Sequence, residues 1–232
     1  MVLFSSEKDK IKRAYNIYKK DRFHKTKWSP NNLGNLIIKE ERLIELRRLF
    51  VHNDILLKNK CILDVGCAGG NTISLMIELG ASEKNIYGID IREERLDYAK
   101  NKFPLADISL MDAGNIEYQD ASFDVINVFT LFTSILDNDY RLKISEELYR
   151  VLKPEGYIIY YDFRFNNPFN KNVKGIKIHE IERLFPHMDK QISLITLLPP
   201  LARKLKKSTI RLYPIISTLN ILKTHYLGLF KK

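Results

Sequence analysis

Residues 61–72 read Cys61-Ile62-Leu63-Asp64-Val65-Gly66-Cys67-Ala68-Gly69-Gly70-Asn71-Thr72. A short apolar run carrying one carboxylate ends in a loop with three glycines, and a helical pattern follows over 72–79. A continuous apolar run bounded by turn residues is the pattern of a strand buried on both faces, as in a parallel sheet. Gly66, Gly69 and Gly70 let the backbone turn tightly and approach a ligand without a Cβ in the way. They open onto a helix N-terminus, whose free N–H groups favour an anion such as a phosphate or a carboxylate.

Working outward, the same alternation repeats. Strands are predicted at 86–90, 108–112, 123–128 and 157–162, with helices at 93–102 and 140–152. The second of these helices stops at Lys153-Pro154-Glu155-Gly156. A helix over 176–185, a strand over 191–198, a stretch helical in pieces over 199–223 and a last strand over 225–230 complete the chain. Strands alternating with helices predict a doubly wound α/β sheet, here of seven strands with helices on both faces. Upstream lie two amphipathic helices, 7–20 and 35–50, around an irregular stretch that includes Trp28 and Pro30. No repeat or low-complexity linker divides the chain. It reads as one domain: a helical cap at 1–58, a ligand-binding core at 59–165, and a substrate-side part at 166–232 with a basic insertion at 199–223.

A chain of 232 residues with 45% hydrophobic content is long enough for one packed α/β domain. No apolar run reaches the roughly 18 residues of a membrane span, and the first fifteen residues lack a signal-peptide layout. Cys61 and Cys67 are the only cysteines, which fits a reducing cytoplasm. Neither they nor the scattered histidines have metal-ligand spacing, so no metal is expected. The net charge of +10 divides into +8 over residues 1–60, −9 over 61–163 and +11 over 164–232. Basic ends around an acidic middle can serve nucleic acid, an anionic membrane or an acidic substrate, or can simply be solvated.

In a doubly wound sheet the ligand sits at the carboxyl ends of the strands. The glycine loop is no P-loop, because Gly70 is followed by Asn71-Thr72 with no Lys, and its G-x-x-G-G spacing is not the dinucleotide pattern. Asp90 ends the second strand, where a carboxylate can accept both hydroxyls of a ribose. Ile91 beside it offers an apolar face to a purine, and Asp112-Ala113 end the third strand, placed for an adenine amino group. A lone Asp after a strand is commonly a helix cap. Three after successive strands, beside a glycine loop, are hard to explain as caps.

The segments LDVGCAGGN (63–71), GIDI (88–91), MDAGNI (111–116), SFDVINV (122–128) and ELYRVLKPEGYIIYYD (147–162) stand in the order and spacing of the class I S-adenosylmethionine-dependent methyltransferases. The chain resembles that family over about a hundred residues. The resemblance implies a mostly parallel sheet with the last strand antiparallel, and S-adenosylmethionine as cofactor. It implies that Asp64 and Gly66, with Cys67, Ala68 and Gly69, lie against the methionine end. Asp90 and Ile91 would then meet the ribose and purine, Asp112 and Ala113 the adenine, and Asn127 to Phe129 would border the methionine portion. Flanking segments such as NNLGNLIIKEER (31–42), YDFRFNNPFNKNVKGI (161–176), LFP (184–186) and LLPPLAR (197–203) look like a bacterial subgroup often encoded beside surface-polysaccharide genes.

Methyl transfer from a sulfonium needs an aligned nucleophile and a dry site, and a hydroxyl nucleophile also needs a base. Asp162, ending the fifth strand, is the candidate, with a cap or a salt bridge to Arg164 as its structural alternative; His24 and His179 are weaker candidates. Tyr161, Arg164, Asn166 and Asn167 make either a polyol-binding rim or a turn, since Asn-Asn-Pro is strong turn chemistry. Trp28 covers the cofactor or packs. The expected partner is therefore a small-molecule or glycan acceptor. Nucleic acid is disfavoured, because the basic residues are interleaved with Leu and Ile rather than aromatics. The segment 199–223 is a lid, a packed cap or an interfacial element meeting anionic membrane.

Overall fold

A computed structural model describes residues 6–20, 31–168, 170–205 and 208–232. Among the described residues, two helices precede the sheet, α1 (Glu7–Lys20) and α2 (Leu33–His52). Then come β1 (Ile62–Val65), α3 (Asn71–Glu78), β2 (Ile86–Asp90), α4 (Glu93–Lys102), β3 (Asp107–Leu110), β4 (Phe123–Phe129) and α5 (Asn138–Val151). The chain continues through β5 (Leu152–Phe163), α6 (Ile178–Leu184), β6 (Asp189–Leu197), α7 (Pro199–Lys204), α8 (Thr209–Ile216) and β7 (Lys223–Lys231). Trp28 and His24 lie outside the described residues.

The strands form one sheet in the order β3-β2-β1-β4-β5-β7-β6. Strands β1 to β5 are mutually parallel, and β7 runs antiparallel between β5 and β6. The strand order reverses between β1 and β4, where a doubly wound sheet opens its crevice. Parallel strands covered on both faces need apolar side chains on both, and all four residues of β1 are buried. Successive side chains point to opposite faces. Ile62, Ile86, Val125 and Ile159 pack under α2, α3 and α4. Leu63, Ile89, Ile126, Val128 and Tyr160 pack under α5 and α6.

Two local rules are overridden. Lys153-Pro154-Glu155-Gly156 reads as a turn, yet β5 already begins at Leu152, paired with Phe123 across a register shift. Glu155 takes a left-handed φ of 61° there. In the insertion, Pro214 lies inside α8. A proline removes a single hydrogen bond, which so short a helix packed on the domain tolerates. Helix α7 lies directly on the start of α2, where a Cβ on Gly34 would stand 2.5 Å from the Ala202 carbonyl.

Candidate functional site

The loop after β1 is built by the end of β2. The N–H groups of Gly66 and Cys67 both donate to the Ile89 carbonyl, at 2.8 and 3.0 Å. That of Ala68 donates to Asp90 Oδ2 at 3.0 Å. Gly66, Ala68 and Gly70 take left-handed φ values of 74°, 48° and 77°. At Gly66 a Cβ would also crowd Leu131, 3.2 Å away.

This loop floors a cleft of about 600 Å³ lined by Gly66, Ala68, Asp90, Ile91, Asp112, Ala113 and Phe129. These seven sequence-predicted residues are brought together. The other four predicted cofactor residues do not line the cleft. Cys67 is buried with its thiol against Gly88, and Gly69 turns toward Arg95 and Tyr98. Asp64 and Asn127 are register neighbours on β1 and β4, and both are enclosed. Asp64 Oδ2 and both amide atoms of Asn127 have no hydrogen-bond partner among the described residues. Buried polar groups are nearly always satisfied, so such orphans call for an explanation. Burial, and secondarily the neighbouring Asp90, pushes the Asp64 carboxyl up to about 8.

By contrast, Asp90 and Asp112 are satisfied by the chain itself. Asp90 Oδ1 accepts from Arg92 N at 2.9 Å and Arg92 Nε at 3.0 Å; Oδ2 accepts from Ala68 N and Arg92 Nη2, each at 3.0 Å. A carboxylate has about four acceptor positions, and all are filled. The Arg92 guanidinium in turn lies 4.0 Å from the centroid of the Tyr15 ring on α1. Asp112 Oδ1 accepts from Gly114 N at 2.8 Å and from the Tyr140 hydroxyl, while Oδ2 pairs with Lys8 of α1 at 2.7 Å. Burial opposes ionisation of Asp112, but Lys8, Tyr140 and the Gly114 N–H together hold its carboxyl below the usual range. Ile11 and Tyr15 line the cleft as well, so α1 forms one of its walls.

The residues at and after the end of β5, including the candidate base Asp162 and the candidate rim Tyr161, Arg164, Asn166 and Asn167, do not line the cleft. Asp162 is fully enclosed, accepting from Thr133 N at 3.1 Å, Thr133 Oγ1 at 2.5 Å and Phe163 N at 2.9 Å. It ties the 132–134 turn to β5 and does not line the cleft. Burial raises its pKa to about 6, against the pull of those hydrogen bonds. The Tyr161 hydroxyl bonds to Thr196 Oγ1 at 2.9 Å. Arg164 N donates to Thr224 O at 3.0 Å, Asn166 Oδ1 accepts from Gly175 N at 2.9 Å, and Asn170 N donates to Asn167 O at 3.0 Å. These are loop-building contacts, the turn alternative of the sequence. His179 is exposed on α6.

Sequence reasoning missed Arg92, Lys8, Tyr15 and Tyr140. The signal for Arg92 was its place two residues after a strand-end carboxylate. The other three had none, because docking α1 and α5 against the cleft is tertiary.

Residues 63–160 match the family described as "Methyltransferase domain". The tRNA N(3)-methylcytidine methyltransferase trm140 of Schizosaccharomyces pombe is 32% identical over 114 residues, 45% of this chain and 36% of that protein. A ubiquinone biosynthesis O-methyltransferase of Coxiella burnetii is 28% identical over 138 residues, 56% of this chain and 52% of that one. The chain thus spans a third to a half of the length of these curated relatives. A crystal structure of a SAM-dependent methyltransferase from Archaeoglobus fulgidus superposes with a TM-score of 0.58 at 18% identity, covering 85% of this chain and 98% of that one. Residues 63–160 thus match a methyltransferase domain, and the chain has the Rossmann-like fold of this SAM-dependent methyltransferase structure.

Proposed function

We propose that this chain transfers a methyl group from S-adenosylmethionine to a hydroxyl of a small molecule or glycan. The observation that carries the reading is the buried pair Asp64 and Asn127, whose unpaired polar atoms lie at the junction of β1 and β4 beside the glycine loop. An amino-acid head group, cationic at one end and anionic at the other, is a ligand that satisfies such a pair and the free N–H groups opening α3. When bound, the cofactor supplies a methyl group on an already charged leaving group. The chain's residues do the rest. Asp90 takes the ribose hydroxyls, Ile91 packs on the purine, and Asp112 with Ala113 meets the adenine edge. Phe129 and Leu131 keep water from the place where the acceptor lines up.

Asp90 cannot accept a ribose while the Arg92 guanidinium fills two of its four positions and the Arg92 and Ala68 N–H groups the other two, so the guanidinium must swing away as the cofactor enters. Asp162 holds the 132–134 turn in this reading rather than taking a proton. A glycan acceptor agrees with the flanking segments of the polysaccharide-associated subgroup, and a hydroxyl with the Coxiella relative. The two free cysteines and the basic C-terminal part support a cytoplasmic protein in contact with the inner membrane face.

The tRNA methyltransferase relative favours a second reading, in which the basic ends hold RNA. One experiment separates them: transfer of labelled methyl groups into fractionated cell extract, with and without ribonuclease. Label in a ribonuclease-resistant small-molecule or glycan fraction is expected. Label confined to ribonuclease-sensitive material overturns the first reading, and absence of S-adenosylmethionine binding in calorimetry overturns both.

A further inference from the structure

Strand β6 runs parallel to β1–β5, because each is antiparallel to β7 or parallel to its neighbour. Its end at Leu197 therefore lies on the sheet edge where β1, β2 and β4 present the cleft. From that edge the chain leaves as α7 and α8 and returns at Lys223.

Two features of this excursion are unexplained by folding. The first is charge. Residues 190–232 contain nine Lys and Arg and no Asp or Glu. At the far edge of the sheet the cations are paired, Lys190 with Glu182 at 2.9 Å and Lys231 with Glu155 at 2.5 Å. At the cleft edge Lys204 and Arg211 are exposed and make no ion pair among the described residues. The second is apolar exposure. Helix α8 anchors itself through Tyr213, which is buried, donates to Glu41 at 2.7 Å and accepts from Leu197 N at 3.2 Å. Its other side and the turn beyond it show Leu212, Ile215, Leu219 and Ile221 at 39%, 67%, 54% and 78% exposure. Single exposed aliphatics are ordinary, but four within ten residues beside unpaired cations mark an interaction surface.

We propose that α8 and the turn after it dock on an anionic lipid surface, with Leu212, Ile215, Leu219 and Ile221 entering the headgroup layer and Lys204 and Arg211 meeting lipid phosphates. A short element with exposed aliphatics and flanking cations is the composition that lies in a membrane interface. RNA fits less well, since the residues between the cations are aliphatic and offer no stacking platform. A second copy fits less well, since it brings like charges together. The surface adjoins the cleft edge, so it brings the cleft to an acceptor carried in the bilayer; this last step rests on the methyl-transfer reading.

The test is co-sedimentation of the full chain with vesicles rich in phosphatidylglycerol, and with phosphatidylcholine alone. Wild type pellets with the anionic vesicles at low salt, and less at high salt. Lys204→Glu with Arg211→Glu lowers partitioning about tenfold or more. Ile215→Ser with Ile221→Ser lowers it with the charges intact. Both double variants keep wild-type affinity for S-adenosylmethionine in calorimetry, which shows that they fold. Wild type remaining in solution with anionic vesicles overturns the proposal, as does equal binding by either variant. So does a lipid-free dimer, seen by light scattering, that Ile215→Ser with Ile221→Ser dissolves, or a tRNA gel shift sensitive to the charge variant without vesicle binding. Vesicle binding without cofactor binding would leave the docking surface standing and remove the methyl-transfer reading alone.

Discussion

The two halves of the sheet's carboxyl edge carry similar residues and use them in opposite ways. On the β1–β3 side, Asp64 keeps a buried oxygen without a partner among the described residues, and Asp90 and Asp112 are held by the cations Arg92 and Lys8 beside open volume. On the β5–β7 side Asp162, Tyr161 and His225 are closed off. Asp162 is held by three hydrogen bonds from Thr133 and Phe163. Tyr161 stacks on His225 with centroids 4.6 Å apart, and His225 Nδ1 lies 2.9 Å from Thr224 Oγ1. Burial, and secondarily the Arg42 charge, pushes that imidazole down to about 3, so it stays neutral. A strand-end carboxylate is therefore not a site in itself. What makes one is hydrogen-bonding capacity left over next to space for a ligand.

The largest effect expected from this contrast is at Gly66. Its φ of 74° and the Leu131 methyl 3.2 Å from a would-be Cβ both exclude a β-branched residue. Wild type is expected to bind S-adenosylmethionine at micromolar Kd, roughly −8 kcal/mol. Gly66→Val should bring binding below detection by calorimetry while circular dichroism still shows a folded chain. Normal affinity in this variant would break the assignment of the loop to the cofactor.

Next in size is a pair with opposite signs. Asp90→Ala removes the ribose acceptor and should weaken cofactor binding by about 1.5–3 kcal/mol, the range for hydrogen bonds to a charged group. Arg92→Ala empties the acceptor positions that the ribose needs, and should leave affinity unchanged or raise it. If Arg92→Ala weakens binding as much as Asp90→Ala, then Arg92 is part of the bound state and not a stand-in for the ligand.

These two residues also show where sequence stops being informative. The run 61–65 and its loop were legible because a buried parallel strand and a left-handed turn are local constraints, visible in residue type alone. Asp90 and Asp112 were legible as strand ends, but not the cations that hold them. Lys8 and Arg92 look like any surface cation until α1 docks. That Asp162 lies away from the cleft lining was hidden for a related reason. Being at a strand end does not say which face a side chain takes, and the 132–134 turn that closes over it comes from a distant segment. The Lys153-Pro154-Glu155-Gly156 stretch obeys turn chemistry locally, yet sheet pairing claims it from Leu152 onward.

A third expectation concerns pH. In the folded apo chain the Asp64 carboxyl stands at about 8, above the usual 3.8. A raised carboxyl favours the protonated fold, so its stabilising contribution is fully present below the unfolded value and is lost as pH rises through about 8. A cationic ligand group beside it favours the ionised form, so binding releases a proton. Affinity should then climb between about pH 6 and pH 8, by at most tenfold per unit. Asp64→Asn should flatten that dependence. A flat wild-type profile would mean that Asp64 does not ionise on binding.

The smallest effect on cofactor binding should come from the other half of the edge, at Asp162. Three donors converge on this carboxylate, two from Thr133 and one from Phe163. An asparagine in its place offers one acceptor oxygen and turns an N–H₂ toward the remaining donors. Leaving a buried donor unsatisfied costs about 1–3 kcal/mol. In a chain of this size that is a fall in Tm of about 2–4 °C per kcal/mol. Asp162→Asn should therefore lose several degrees by calorimetry while its affinity for S-adenosylmethionine stays within about twofold of wild type, because the residue does not line the cleft. Turnover should fall no further than the loosened 132–134 turn requires, well short of the roughly 10²–10⁴-fold loss that removing a general base brings. A variant with unchanged Tm and affinity but a loss on that scale would reverse the contrast and make Asp162 the catalytic base after all.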